Sequence, residues 1–295
     1  IDGQWTTDWY VPDVEGRFVR PPTVFRGQVG DAVSPVASGR YHLYVSYACP
    51  WAHRTLIVRH LRGLDGAVGV SVVDAFMGED GWSFGQEPGS APDPILGASW
   101  LREVYAKGDP HYTGRVTVPV LWDIERGTIV NNESIDIIRM FDTAFEPIAS
   151  GPTLYPAGLG EAIDREIAAN YEPINNGVYK SGFARTQEAY EEAVGELFEA
   201  LDRCEKTLSQ TRYLCGDVLT EADVCLFTTL LRFDAVYHGH FKCNLRRIQD
   251  YPNLWGFLRD IYQTPGVRET CHMEHIKPHY YRSHPSVNPS RIVPV

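Results

Sequence analysis

The chain has 295 residues, 43% of them hydrophobic, with 38 acidic against 27 basic side chains and a formal net charge of -11. That balance excludes a general nucleic-acid binder, which needs a basic surplus to neutralise phosphates, and no apolar run approaches the roughly 20 residues of a membrane span. The length leaves room for two domains with sizeable cores.

Residues 1–40 are rich in Trp, Gly, Pro and Arg with little periodicity, and read as an extended arm on which Arg17, Arg20 and Arg26 are solvated charges. The alternating run Tyr41–Val45 then predicts a strand. After it, Tyr47-Ala48-Cys49-Pro50-Trp51-Ala52 leads into the apolar-periodic run Leu56-Ile57-Val58 to Leu61, which predicts a helix capped by Cys49 with Pro50 at its first position. A cysteine there meets unpaired backbone N–H groups and the positive end of the helix dipole, which favour thiolate over thiol. Ala52 stands where a redox CxxC pair would carry its second cysteine, so a thiolate at Cys49 that attacks a sulfur needs an external thiol for release. The bland alternative is a cysteine that merely packs. Val68–Val73 reads as a buried strand and completes a βαβ unit.

Residues 77–113 form a long irregular insertion, within which Ala98–Tyr105 predicts a short helix. Such stretches are uncommon in compact domains unless they have a task; Trp82 is either a ligand-covering aromatic or a plug for the loop. Val118-Pro119 opens the next strand. A trans bond is the commoner outcome for X-Pro; a cis one would turn the Val118 backbone outward to pair with an extended peptide. A hairpin through Glu125-Arg126-Gly127 returns as Thr128–Val130. Asn132-Glu133-Ser134 then opens a helix along Ile135, Ile138, Met140 and Phe141, whose N-terminus is an anion site if Ser134 is more than a cap.

Pro- and Gly-rich residues 146–160 read as a linker. Beyond it the pattern is helical, with an amphipathic run Tyr190–Leu208 and a capping-box start Thr220-Glu221-Ala222-Asp223, stapled by Leu219, for a helix Val224–Phe233. His275–Val295 lacks periodicity and reads as an irregular tail, yet carries the aromatic cluster His279-Tyr280-Tyr281-Arg282-Ser283-His284, which suggests packing near a site. The six cysteines (Cys49, Cys204, Cys215, Cys225, Cys243, Cys271) form no CxxC pair. That is the pattern of reduced thiols, neither a disulfide framework nor a zinc site. No secretory pattern opens the chain. The expected compartment is the cytoplasm, or an organelle stroma or matrix if a targeting segment has been trimmed.

Strand, Cys-Pro helix, strand, Val-Pro hairpin and Glu-Ser helix, followed by a helical half, resemble the glutathione transferases. Cys49-Pro50-Trp51-Ala52, Gly81-Trp82 and the aromatic tail resemble, more narrowly, the Xi class of glutathionyl-hydroquinone reductases. The resemblance implies a thioredoxin-like α/β N-terminal domain at 41–146, an all-α domain at 160–274 and a homodimer. It implies Cys49 as nucleophile, with Trp82, Arg115, the Val118 backbone, Glu133 and Ser134 holding glutathione. Tyr179 and either Tyr280 or Tyr281 would face the aromatic leaving group. Glutathione would be a co-substrate, with hydroquinone conjugates as the other partner and no bound cofactor or metal. An Omega-like thioltransferase or dehydroascorbate reductase is the sibling reading, and a non-catalytic interaction module on the same fold is the rival from another class.

Overall fold

The computed structural model describes residues 1–8 and 10–295. The N-terminal half runs β1 (Tyr41–Val45), α1 (Pro50–Leu61), β2 (Val68–Val72), β3 (Met77–Gly78), β4 (Gly81–Trp82), α2 (Leu101–Gly108), β5 (Val120–Asp123), β6 (Thr128–Asn131) and α3 (Ser134–Asp142). Four of its strands form one sheet in the order β2-β1-β5-β6, with β1 and β2 parallel and the other pairs antiparallel. All five residues of β1 are buried; the strand lies inside the sheet between β2 and β5, while α1 packs on α3 and α2 on β6 and β4. A central strand covered on both faces has no use for polar alternation.

The arm is held along its length. Phe25 N–H donates to Asn132 Oδ1 at 3.1 Å, Asn132 N–H to the Phe25 carbonyl at 3.0 Å, and Gly27 N–H to the Val130 carbonyl at 2.9 Å. These contacts cover the open edge of β6, which would otherwise present unpaired backbone groups. The three arm arginines are not simply solvated, as their sequence context suggests. Arg17 pairs with Glu192 at 2.8 Å, Arg26 makes a two-pronged contact with Asp136, and Arg20 donates to Asn176 Oδ1 at 2.8 Å.

The insertion is ordered by two buried carboxylates. Asp74 accepts from Ser83 Oγ at 2.5 Å and from the Gln86 and Glu87 N–H groups; Asp93 accepts from the Tyr44 hydroxyl and from the Ile95, Leu96 and Ala98 N–H groups. Gly81 turns the short hairpin with φ +82°, in a position where a Cβ would press on the Trp5 ring.

The helical half comprises α4 (Gly160–Asn170), α5 (Gly177–Phe183), α6 (Gln187–Leu208), α7 (Glu221–Arg232), the short α8 (His238–His240), α9 (Pro252–Gln263) and α10 (Met273–Ser283), with π-helical turns at Tyr171–Asn175 and Phe233–Tyr237. At the start of α7, Asp223 Oδ2 accepts from Thr220 N–H at 2.8 Å, the capping box expected there. The last element corrects the sequence reading: 273–283 is a helix, not an irregular tail, despite Pro278 within it. Its aromatic and imidazole side chains pack inward, and that tertiary burial outweighs the proline's missing donor. No helix among the described residues is long and apolar enough to cross a membrane.

Candidate active site

Between the arm, the insertion, α1, α5 and α10 lies a cleft of about 1180 Å³, and Cys49 is on its wall. The residue is extended (φ -78°, ψ 122°) and Pro50 begins the helix, as the Cys-Pro junction predicts. Its thiol donates to the Val118 carbonyl across 3.6 Å, and the Val118-Pro119 bond is cis. The expectation that the helix end alone depresses this thiol is corrected. Burial is the largest influence and pushes it up, while the Ala52 and Trp51 N–H groups and the Arg232 and Arg20 guanidinium groups pull it down.

Tyr179 and Tyr280 line the same cleft and belong to a cluster of phenols. Tyr280 on α10 lies 2.6 Å, hydroxyl to hydroxyl, from Tyr179 on α5 and 2.9 Å from Tyr237 in the turn after α7. Burial pushes Tyr179 up to about 12 and the other two well above the usual phenol range, so all three are neutral donors at physiological pH. Three hydroxyls bonded in a row satisfy one another with two protons, which leaves one O–H to donate outward. Tyr281 does not belong to this cluster: its hydroxyl donates to the Ala235 carbonyl at 3.4 Å and its ring packs on His240. Of the two tail tyrosines, Tyr280 lines the cleft and meets Tyr179, and Tyr281 does neither.

Trp82 is both plug and lining. It is 6% exposed, stacks on His279 with ring centroids 4.8 Å apart, and borders the cleft. Arg115 also lines the cleft, its guanidinium 4.6 Å from the Tyr10 ring centroid, as does Val118.

Glu133 and Ser134 stand apart from that wall. Glu133 caps α3, accepting from Ile135 N–H, and its other oxygen accepts from Thr23 of the arm at 3.0 Å. Ser134 is buried, and Arg54 Nη1 approaches its hydroxyl at 3.5 Å. Arg54 Nε and Nη2, and Trp51 Nε1, are buried donors with no hydrogen-bond partner among the described residues. Arg54 also lies 4.7 Å from the Trp51 ring centroid. Unpaired donors at a helix N-terminus make a place that suits a carboxylate.

Several site residues escape a sequence reading. Tyr237 sits among Phe233 and Phe241 and reads as core. Arg20 reads as surface charge, yet its guanidinium lies 5.1 Å from the Trp51 ring and 4.9 Å from the Tyr179 ring, on the cleft wall. Only the density of aromatics around each offered a signal.

Residues 48–144 match the family described as Glutathione S-transferase, N-terminal domain, and residues 187–260 match Glutathione S-transferase, C-terminal domain. The glutathionyl-hydroquinone reductase PcpF of Sphingobium chlorophenolicum is 53% identical over 100% of this chain and 95% of its own. Among solved structures, an Xi-class transferase from Natrialba magadii superposes with a TM-score of 0.94 at 54% identity, covering 100% of this chain and 91% of that one. The chain belongs to the Xi-class glutathione transferases. Another member, YqjG of Escherichia coli, solved with glutathione bound, gives 0.90 at 51% identity, covering 100% of this chain and 94% of that one. The fold class is therefore the glutathione transferase fold: a thioredoxin-like α/β half followed by an all-α half.

Proposed function

We infer that this Xi-class transferase reduces S-glutathionyl-hydroquinones to hydroquinones. The observation that carries the reading is the sharing of one cleft by the Cys49 thiol and the hydroxyls of Tyr179 and Tyr280. The names of its relatives lend it support, PcpF and YqjG both being glutathionyl-hydroquinone reductases.

The chemistry follows in two steps. Cys49 thiolate attacks the glutathionyl sulfur of the conjugate; an S–S bond forms, the aryl C–S bond breaks, and its electron pair passes to the ring. The ring carbon takes a proton and the hydroquinone departs, reduced, while the two sulfurs are oxidised to a mixed disulfide. The phenolic O–H groups donate to the ring oxygens as negative charge grows there. A second glutathione thiolate then attacks the mixed disulfide, giving oxidised glutathione and restoring Cys49 thiolate. Glutathione would lie extended against the Val118 backbone, with Arg115, Trp82 and the Glu133–Ser134 helix end about it. An arginine and a helix N-terminus are matched donors for its two carboxylates. All six cysteines are free thiols, which suits a compartment that supplies reduced glutathione, such as the cytoplasm. We also take the chain to be a homodimer, on its family alone; a monomeric mass by light scattering at micromolar concentration would end that.

The test is turnover of a glutathionyl-hydroquinone with excess glutathione, hydroquinone and oxidised glutathione being quantified separately. Equal amounts of the two support the reading. Absence of hydroquinone release, with dehydroascorbate or a simple mixed disulfide reduced instead, favours the Omega-like alternative.

A further inference from the structure

A buried cation with no acidic partner among the described residues lies where the two halves of the molecule meet. Arg232, the last residue of α7, is 0% exposed. Its Nε donates to the Ala48 carbonyl at 2.8 Å and its Nη2 to the Tyr47 carbonyl at 3.0 Å. Its Nη1 donates to the Thr228 carbonyl at 2.7 Å and lies 3.1 Å from His53 Nδ1. Among the described residues these recorded partners are three carbonyl oxygens and a ring nitrogen, none of them a carboxylate. Burying a guanidinium is costly, and carbonyl dipoles offset that cost only in part.

The two carbonyls it gathers from the other half belong to the residues immediately before the nucleophile. The neighbouring groups do not supply the missing negative charge. His53 Nδ1 accepts from Arg232, which puts the ring proton on Nε2, shared with Thr270 Oγ1 at 2.8 Å; burial and Arg232 keep this imidazole neutral. Tyr237, Tyr280, His279 and Cys271 also feel Arg232 and are likewise uncharged at neutral pH. From the arm Arg20 adds a second cation near Cys49, and from α5 Tyr179 adds a neutral phenol. The anion that this arrangement lacks is one that forms during the reaction.

We propose that Arg232 is the resident counter-ion of the Cys49 thiolate and, through the Tyr47–Ala48 turn, the residue that positions it. It touches neither substrate, so it is a positioning residue. Its charge favours the thiolate twice, as the attacking group on the conjugate and as the leaving group when glutathione resolves the mixed disulfide. The proposal rests on Cys49 as nucleophile, and its test reads the thiol directly so that it is separable from reductase turnover.

Carbamidomethylation of Cys49 by iodoacetamide, followed by peptide mass mapping across a pH series, is compared in the wild-type chain, Arg232→Met and Arg232→Lys, with melting curves for each. Methionine removes the charge and fills most of the volume; lysine keeps the charge and loses the two-carbonyl grip. For Arg232→Met the reaction midpoint should move up by about one pH unit or more, with the rate at pH 7 lower by about tenfold. Arg232→Lys should stay within about half a unit of wild type. A folded Arg232→Met protein with the wild-type midpoint overturns the proposal. If that variant does not fold, Arg232→Lys decides: a midpoint raised by about a unit there means that the grip, not the charge, governs the thiol, and the counter-ion role is lost. Unchanged midpoints alongside absent hydroquinone release would instead count against the reductase reading as well.

Discussion

The two sides of the cleft are built in different ways. The Cys49 side is mostly local: strand, turn, proline and helix follow one another within Tyr41–Leu61, and Arg232 reaches in from α7 to the two carbonyls before the sulfur. The phenol side is assembled from afar. Tyr179 and Tyr280 are 101 residues apart in sequence and Tyr237 and Tyr280 are 43 apart, yet their hydroxyls lie within hydrogen-bond reach. In the proposed mechanism the thiol serves every sulfur exchange, whereas the phenols serve only the departure of an aromatic ring. Damage to the first should abolish all thiol chemistry, and damage to the second should be selective.

The sharpest break is Cys49→Ala. The Cys49 side chain makes no capping hydrogen bond to its helix, so its loss should change stability by less than about 1 kcal/mol. Hydroquinone release should fall by roughly three orders of magnitude or more, because no other step replaces a lost nucleophile. Turnover close to wild type, measured by hydroquinone chromatography, would remove the local side of the comparison altogether.

Tyr280→Phe against Tyr281→Phe tests the assembled side. Each change removes one O–H and little volume. Tyr280→Phe breaks the middle of a three-hydroxyl row and should lower kcat for the glutathionyl-hydroquinone by about 10- to 100-fold. The rate at which glutathione clears the Cys49 mixed disulfide should hardly change. Tyr281→Phe loses only a 3.4 Å contact to Ala235 away from the cleft and should behave as wild type. Equal effects of the two on both steps would mean that α10 contributes only structure.

The same division governs what the sequence could tell. The Cys49 turn, the Val118-Pro119 hairpin, the Glu133–Ser134 helix end and the Thr220–Asp223 capping box are short-range devices, and each is readable from consecutive residues. Tyr237, Arg20 and Arg232 acquire their roles only when distant elements meet, so a local density of aromatics around the first two is all that their immediate neighbours offer. The α10 helix was hidden for a related reason: Pro278 and a run of polar aromatics argue locally for a tail, and the packing of His279 on Trp82 and of Tyr280 on Tyr237 argues otherwise. The insertion looked loose because its organising groups, Asp74 and Asp93, are single carboxylates whose partners lie scattered along the loop.

A gentler comparison sets Cys49 beside the other five thiols. Burial pushes Cys204, Cys215, Cys225 and Cys271 up to about 11 and Cys243 up to about 12, so each is almost wholly protonated at pH 8. A raised thiol value means less thiolate at a given pH and slower alkylation. Burial also raises Cys49, but two helix N–H groups and two guanidinium groups oppose it, and it borders the cleft. Iodoacetamide at pH 8 should therefore modify Cys49 first, by about tenfold or more over any other cysteine. Peptide mapping that finds Cys215 or Cys271 modified before it would show that the local side lacks its electrostatic advantage.

The smallest effect concerns Arg20, which joins the two sides. Its guanidinium lies between the Trp51 ring of the nucleophile's helix and the Tyr179 ring of the phenol cluster, tied by its Nε to Asn176. It is only half-buried, so water replaces part of what a substitution removes, and cation–π contacts of this kind contribute about 0.5–1 kcal/mol. Arg20→Met keeps the apolar stem against both rings and drops the charge. If Arg20 holds the aromatic ring of the conjugate in place, KM for that conjugate should rise by about three- to tenfold while kcat changes little. The Cys49 alkylation midpoint should move up less than in Arg232→Met, because Arg20 reaches the sulfur from a partly solvated position, where screening is stronger. A kcat loss as large as that of Tyr280→Phe with KM unchanged would place Arg20 with the phenols in assisting departure of the ring rather than in holding it.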